Sequence, residues 1–371
     1  MTYRDRVAAP GPKRLLALDG GGIRGLMSLE ILAELEKQLS RELARPGLVL
    51  ADYFDYIAGT STGAIIAATL SLGMPVSKVQ TFYLENGEAM FAKARLLKRF
   101  RYKYEDEQLA AKLREVFGAA TTFGSDTLRT LLLVVMRNVS TDSPWPLSNN
   151  PRAMFNLPER KDCNLALPLW QIVRASTAAP VYFPPEVVRV GDQSFVFVDG
   201  GVTMYNNPAF ILFLMATLEP YRLQWPVGED KMLLVSVGTG AAPAANADLE
   251  PEELNLVYNA STIPSALMFG AANEQDMLCR VFGRCRHGAP IDMEMGDLIR
   301  SRGPVEPRLF SYARYNIELS RKGLDALGLP HIDPTAVQKL DSIEHMNELR
   351  EVGAAAAAQL VDARRDLAGF L

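Results

Sequence analysis

The sequence predicts an α/β fold in which a central, mostly parallel sheet is flanked by helices on both faces. Short apolar runs, typical of buried strands, end at glycine-rich turns. Helical patterns, with apolar residues at spacings of three and four, follow several of these runs. The composition, with 48% hydrophobic and 22% charged residues in a chain of 371, provides enough apolar material for a large globular core.

Each predicted element follows from its local pattern. The strand candidates are short apolar runs, at Arg14–Leu18, Tyr53–Ala58, Leu131–Met136, Phe195–Val198 and Met232–Val237. The helix candidates are amphipathic, apolar throughout or alanine-rich, at Leu26–Leu43, Thr62–Leu72 and 336–371.

The remaining segments set the expected organisation. Residues 1–13 are polar and predict a frayed lead-in, whereas the Pro-, Ser- and Asn-rich stretch 141–161 predicts a surface loop. We expect a catalytic core over residues 14–240. The segment 241–371 is expected to form a mostly helical part that packs on this core.

Composition and charge exclude several classes of protein. A net charge of −4 argues against a general binder of nucleic-acid polymers. Three cysteines, Cys163, Cys279 and Cys285, do not make a disulfide framework, so a reducing compartment fits best. The spacing of Cys279, Cys285 and His287 is a poor match to zinc-binding patterns. We therefore expect no metal site at these residues. No other cofactor is expected.

The chain lacks the usual signals for export or membrane insertion. Its N-terminus has no apolar h-region, and no uninterrupted apolar stretch reaches the roughly 18 residues of a transmembrane helix. We therefore expect a cytoplasmic protein that meets a membrane at its inner surface, without crossing it.

The first glycine-rich site, Asp19 to Gly25, follows a predicted strand and precedes a predicted helix. Gly20, Gly22 and Gly25 form a G-x-G-x-x-G, the dinucleotide fingerprint. That fingerprint expects an acidic residue at the end of a second strand, but the matching region, 39–43, lies inside the predicted helix. The same glycines could instead present backbone amides as an oxyanion hole, or simply form a tight turn.

The second site is Gly59-Thr60-Ser61-Thr62-Gly63, a G-x-S-x-G between a strand and an apolar helix. This context is typical of a nucleophile elbow, in which flanking glycines allow a sharp turn that exposes the serine hydroxyl. The pentapeptide also occurs by chance.

The third site is Asp199-Gly200-Gly201, directly after the strand candidate Phe195–Val198. Open α/β sheets place their active sites at the carboxyl ends of strands, so Asp199 is a candidate catalytic residue. Asp-Gly is also ordinary turn chemistry.

A serine nucleophile needs a base, and the sequence offers two kinds. The histidines are His287, His331 and His345, and none follows a convincing strand. A dyad of Ser61 and Asp199 is the alternative, because desolvation in a closed site makes a carboxylate more basic.

Taken in order, the blocks D-G-G-G-x-R-G, G-x-S-x-G and D-G-G resemble those of the patatin-like phospholipase family. The likeness extends to further blocks, at Arg174–Phe183, Asp199–Pro208 with its Asn206-Asn207-Pro208, and Val235–Gly240. It covers residues 14–240 and implies a patatin-like three-layer fold.

The resemblance also implies the chemistry, which is hydrolysis of acyl esters of membrane phospholipids through an acyl-enzyme. It makes Ser61 the nucleophile and Asp199 the base, with no metal. It assigns the surrounding roles as an oxyanion hole of Gly20, Gly21, Gly22, Arg24 and Gly25, elbow glycines Gly59 and Gly63, and the Asp-motif glycines Gly200 and Gly201. Within that set, Gly21 and Gly22 carry the donors and Arg24 supports the loop.

The size and architecture are also similar to bacterial patatin phospholipases of antiphage systems, which imply a cyclic oligonucleotide as activator. The basic–aromatic stretch 93–104 could meet anionic headgroups or a nucleotide's phosphates, or form a solvated helix face. The functional alternatives are a constitutive esterase or lipase, a dinucleotide-binding protein that uses Gly20–Gly25, and an idle binding module. The oligomeric state is not predicted.

Overall fold

The computed structural model describes residues 2–91, 102–180, 182–241 and 256–371. The basic–aromatic stretch 93–104 lies almost entirely outside the described residues.

The described residues form one nine-stranded mixed sheet, ordered β5-β6-β3-β2-β1-β7-β9-β8, with β4 paired to β3. The strands are Lys13–Leu18 (β1), Tyr56–Thr60 (β2), Leu131–Asn138 (β3), Ser143–Ser148 (β4), Glu186–Val190 (β5), Gln193–Asp199 (β6), Met232–Val237 (β7), Arg284–His287 (β8) and Ser311–Tyr315 (β9). From β3 through β2, β1, β7 and β9 to β8 every pairing is parallel, whereas β4, β5 and β6 are antiparallel to their neighbours.

Helices cover both faces of this sheet. They are Tyr3–Ala8 (α1), Gly25–Glu42 (α2), Leu50–Tyr53 (α3), Thr62–Ser71 (α4), Val76–Phe91 (α5), Tyr102–Phe117 (α6), Leu169–Ser176 (α7), Ala209–Thr217 (α8), Leu256–Phe282 (α9), Arg321–Ala326 (α10), Pro334–Gln338 (α11), Met346–Leu360 (α12) and Ala363–Asp366 (α13). Every residue of β2 and of β7 is buried, which requires cover on both sides of the sheet. The predicted three-layer α/β class is therefore confirmed.

The buried strands and helices form where the apolar pattern is local and continuous. Leu26, Leu29, Leu32, Leu35 and Leu39 recur on one face of α2 and are all fully buried. Helix α4 is buried at each of its ten residues, as its small apolar sequence predicts. Among the described residues, no helix is both long enough and apolar enough to span a bilayer.

Three local predictions were wrong. The predicted lead-in contains α1, whose Arg6 guanidinium donates to the Asp55 carboxylate at 3.0 Å in a buried pair. The predicted strand at Tyr53–Ala58 is divided, because α3 ends at Tyr53 and β2 begins at Tyr56. The predicted loop 141–161 contains β4, which pairs with β3 along its whole length.

The sheet does not stop at residue 240, where the catalytic core was expected to end. Strand β9 pairs in parallel with β7, and β8 continues the sheet beyond it. The C-terminal part is rich in helices, but it also supplies one edge of the central sheet.

Candidate active site

Ser61 lies at the sharp turn between β2 and α4. Its backbone has φ 54° and ψ −123°, a conformation that residues with side chains rarely adopt. A Cβ atom on Gly59 would collide with the carbonyl of Gly63, and one on Gly63 would collide with the carbonyl of Leu18. The two glycines of the G-x-S-x-G are therefore required for the turn to pack this closely.

The Ser61 hydroxyl donates a hydrogen bond to Oδ2 of Asp199 at 2.6 Å, across 138 positions of sequence. Asp199 ends β6 and lies opposite Met136 of β3, whereas Thr60 of β2 lies opposite the preceding residue, Val135. Strand β4 pairs with one edge of β3, so β2 and β6 must both pair with the opposite edge. Along that edge of β3, the end of β2 meets the end of β6. Strand β2 is parallel to β3 and β6 is antiparallel to it, so the carboxyl ends of β2 and β6 face each other. This arrangement brings Ser61 and Asp199 together.

The Asp199 carboxyl group is buried, with 5% of the residue exposed. Burial raises its pKa to about 6, against the lowering effects of the Ser61 hydroxyl, the Gly201 amide and the positive charge of Arg174. The Gly201 amide donates to Oδ1 at 2.6 Å, so each carboxylate oxygen has one donor. Such a group is a stronger base than an exposed aspartate and is held in a fixed orientation.

The glycine loop after β1 lies directly beside the serine. A Cβ on Gly20 would be 3.3 Å from Cβ of Ser61. The Gly20 amide donates to the Asn206 carbonyl, and the Ile23 amide donates to the Leu340 carbonyl, both at 3.0 Å. Between them, the amides of Gly21 and Gly22 donate to no acceptor in the described part of the chain.

The loop is crowded by its neighbours, which explains its glycines. A Cβ on Gly21 would collide with the Thr239 side chain. Gly22 has φ +60°, and a Cβ there would collide with the backbone of Leu340. Thr239 Oγ1 also donates to the Gly20 carbonyl at 2.8 Å. These contacts fix the loop, while the amides of Gly21 and Gly22 have no acceptor among the described residues.

Arg24 and Gly25 support the loop from behind. Arg24 donates to the Gln338 carbonyl at 3.2 Å, and burial lowers the pKa of its guanidinium to about 10 against the opposing charge of Asp19. A Cβ on Gly25 would lie 2.6 Å from Oγ1 of Thr62, so α2 and α4 approach closely here.

A buried ion pair holds the start of the loop. Arg314 of β9 donates to both carboxylate oxygens of Asp19, at 2.8 and 2.5 Å, and to the Ser236 hydroxyl at 2.7 Å. Burial raises the pKa of Asp19, whereas the Arg314 charge and its hydrogen bonds lower it. The loop is thus anchored to the C-terminal part of the sheet.

Comparison with known proteins is consistent with this geometry. Residues 16–213 match the family model for patatin-like phospholipases. The chain belongs to this family. The match also confirms the predicted enzyme class, a lipid acyl hydrolase, and the patatin-like form of the three-layer fold.

Several named relatives are similar to this patatin-like chain. It is 30% identical to Patatin-like protein 1 of Oryza sativa subsp. indica, over 85% of this chain and 86% of that protein. It is 30% identical to a cGAMP-activated phospholipase of Escherichia coli, over 61% of this chain and 62% of the relative. A protein of the same name from Vibrio cholerae is 31% identical, over 53% of this chain and 56% of the relative. The chain therefore spans less than two thirds of either bacterial relative.

The histidines of this patatin-like chain contact residues other than Ser61. His331 contacts Glu351, and His345 contacts Glu348, each at 3.1 Å. His287 lies on β8, where burial lowers its pKa. None of the three hydrogen-bonds to Ser61, so the arrangement favours a dyad over a triad.

The position of the glycine loop favours an oxyanion hole over a dinucleotide site. Residues 39–43, where an acidic ribose-binding residue would be expected, belong to α2 and its C-terminal end. The loop instead contacts Ser61 at Gly20, and the two unused amides belong to the next two residues of the loop.

Several residues of the site escaped the sequence analysis. Arg314 and Leu340 reach the glycine loop from the C-terminal part, and Thr239 reaches it from the end of β7. Ser176, at the end of α7, accepts a hydrogen bond from the Ser61 amide. The blocks that contain Ser176 and Thr239 carried a signal, since both belong to the patatin-like pattern, whereas no motif marked Arg314 or Leu340.

Proposed function

We propose that this chain hydrolyses acyl esters of membrane phospholipids, with Ser61 as nucleophile and Asp199 as its base. The observation that carries the proposal is the 2.6 Å hydrogen bond from the Ser61 hydroxyl to the buried Asp199 carboxylate. The amides of Gly21 and Gly22 support it, because they have no acceptor among the described residues and follow directly after Gly20, which lies beside that serine.

The reaction proceeds in two steps. The Ser61 oxygen attacks the ester carbonyl while its proton moves to Asp199, and the Gly21 and Gly22 amides donate to the resulting oxyanion. Asp199 then gives the proton to the leaving alcohol, which is the lysophospholipid, and the acyl group remains on Ser61. A water molecule, deprotonated by Asp199, releases the fatty acid and restores the hydroxyl.

The energetic roles follow from the geometry. An oxyanion donor that is fixed before reaction needs no reorganisation, and removing one such donor costs about 10²- to 10³-fold in turnover in comparable sites. The collisions that confine Gly21 and Gly22 therefore matter for rate as well as for packing.

We infer that the protein acts at the inner face of the cytoplasmic membrane without crossing it. Val202 and Met204, just beyond Asp199, are 43% and 47% exposed, and Leu267 of α9 is 67% exposed. Met268 would lie 3.5 Å from a Cβ on Gly201, so this part of α9 borders the same turn. From Leu256 to Asn273 the chain has no charged residue. An uncharged apolar rim beside the serine suits contact with a lipid surface.

Regulation by a cyclic oligonucleotide is the second part of the proposal. Two bacterial relatives, at 30% and 31% identity, are named cGAMP-activated phospholipases. We propose that this chain is likewise gated by a cyclic oligonucleotide, in defence against phage.

The decisive experiment measures phospholipid hydrolysis with and without a panel of cyclic oligonucleotides, for the wild type and Ser61→Ala. We expect turnover that needs one member of the panel and that disappears in the folded variant. Equal turnover without any nucleotide would identify a constitutive lipase or esterase and remove the gating. Turnover that survives in Ser61→Ala would rule out the serine mechanism.

A further inference from the structure

The end of helix α7 lies between the two residues of the dyad. The Ser176 hydroxyl accepts a hydrogen bond from the Ser61 backbone amide at 3.0 Å and donates one to the Val135 carbonyl at 2.6 Å. Two residues later, the Ala178 carbonyl accepts a hydrogen bond from the Asp199 amide at 2.9 Å. One short stretch of chain therefore contacts the backbone of both catalytic candidates.

The Ser61 amide needs this partner for a physical reason. Its residue has a positive φ, which costs free energy unless the surroundings hold it in place. Ser176 is fully buried, and a buried amide that loses its acceptor is strongly disfavoured. The hydroxyl thus favours the strained turn over relaxed alternatives.

The same hydroxyl ties the serine to the strand opposite Asp199. Its acceptor, Val135, is on β3, and the next residue, Met136, pairs with Asp199. A shift of the Ser61 backbone relative to β3 would break one of the two Ser176 hydrogen bonds. The Ser176 contacts therefore control the distance from the Ser61 hydroxyl to the carboxylate.

We propose that Ser176 is a positioning residue, which holds the nucleophile at hydrogen-bonding distance from its base. The inference depends on the proposed dyad mechanism and extends it to a residue that touches neither substrate nor reacting atoms. Misplacement by a fraction of an ångström is enough to slow such chemistry, since a shift of about 1 Å can cost 10²-fold.

The test compares Ser176→Ala with Ser71→Ala on a soluble chromogenic ester. Ser71 is a matched control, because it is also fully buried, its hydroxyl also takes part in a hydrogen bond, which it accepts from the Thr130 hydroxyl at 2.9 Å, and it lies at the far end of α4. We expect Ser176→Ala to lower kcat by about 10- to 100-fold with little change in KM. Ser71→Ala should keep the wild-type kcat per folded molecule.

A second measurement separates positioning from general packing. The Ser61 hydrogen bond lowers the pKa of Asp199, so a loosened Ser61 should move the acid limb of the kcat/KM profile to higher pH. Ser176→Cys retains a weak acceptor of similar size and should recover part of the lost rate. If Ser176→Ala does not fold, the acid limb of the Ser176→Cys profile decides whether Ser176 positions Ser61.

The outcomes distinguish this inference from the proposed function. Labelling of Ser61 by a fluorophosphonate reports whether the serine is activated at all. Suppose that wild type is labelled and hydrolyses the ester, and that the folded Ser176 variants have the same kcat and the same acid limb in their pH profile. This result would refute the positioning role of Ser176 and leave the dyad mechanism standing. If wild type neither labels nor turns over ester, either alone or with any member of the panel of cyclic oligonucleotides, the dyad mechanism fails, and the inference fails with it.

Discussion

The Asp199 carboxyl group determines how the proposed reaction responds to pH. Its burial favours the neutral form, whereas the Ser61 hydroxyl and the Gly201 amide favour the charged form. Burial dominates, so the pKa rises from 3.8 to about 6. A base must be deprotonated to accept the serine's proton, and the raised pKa brings this requirement close to neutral pH.

We predict that kcat/KM is constant well above pH 6 and falls about tenfold per pH unit well below it, because this ratio reports the pKa of Asp199 in the free enzyme. The measurement is the pH dependence of hydrolysis of a soluble ester. Asp199 binds its proton more tightly in the folded than in the unfolded protein. Its contribution to the free energy of unfolding therefore increases as the pH falls from about 6 to 3.8. Circular dichroism should therefore show folded protein while activity is lost. An acid limb at the ordinary value of 3.8 would contradict the assignment.

At the scale of elements, the sequence predicted those parts of the fold whose signal is local. Strands β1 and β7 and helices α2 and α4 appear within a residue or so of their predicted bounds, because their apolar patterns are continuous. The chemistry at Ser61 and Asp199 was marked by motifs that need glycine for steric reasons. The resemblance then paired these two residues, which sequence spacing alone could not.

The elements that were missed lack such a signal. Strand β4 contains Pro144 and Pro146, which usually indicate a loop but are tolerated in a strand with a free edge. The partners Asp19 and Arg314 are 295 positions apart, and nothing local in either segment marks the other. Their pairing arises only when β9 joins the sheet beside β7.

We predict that Arg314→Met destabilises the protein by about 3–5 kcal/mol, because it leaves the Asp19 carboxylate buried without its partner. The pair is almost inaccessible, with 4% and 6% of the two side chains exposed. The measurement is the free energy of unfolding in urea. Adding Asp19→Asn to this variant should recover part of the loss, since it removes the unpaired charge.

The matched control is Lys37→Met, which breaks a surface pair with Glu34 in which 74% of the lysine side chain is exposed. That change should cost under about 1 kcal/mol. An Arg314→Met variant as stable as Lys37→Met would show that the buried pair does not anchor the glycine loop.

Across the whole molecule, the reactive groups gather at the carboxyl ends of the parallel strands. The glycine loop follows β1, Ser61 follows β2, and the Thr239 turn follows β7. The antiparallel strand β6 arrives from the opposite direction and places Asp199 at the same edge. This edge also carries the exposed apolar residues Val202 and Met204. One side of the molecule thus combines the proposed catalytic groups with exposed apolar residues, as the proposed contact with lipid requires.

We predict that Leu267→Glu lowers hydrolysis of phospholipid vesicles by about 10- to 100-fold and leaves a soluble ester unaffected. A buried leucine contributes roughly 1.5–3 kcal/mol on leaving water, and a charge in its place adds a penalty for entering the lipid surface. Both substrates use the same serine, so the ratio of the two rates isolates contact with the membrane. Leu218→Glu is the matched control, since Leu218 is 44% exposed and lies beyond the far end of α8, away from the serine. Vesicle sedimentation should show weaker binding for Leu267→Glu than for Leu218→Glu, and equal binding and equal rates would place the lipid-contacting surface elsewhere.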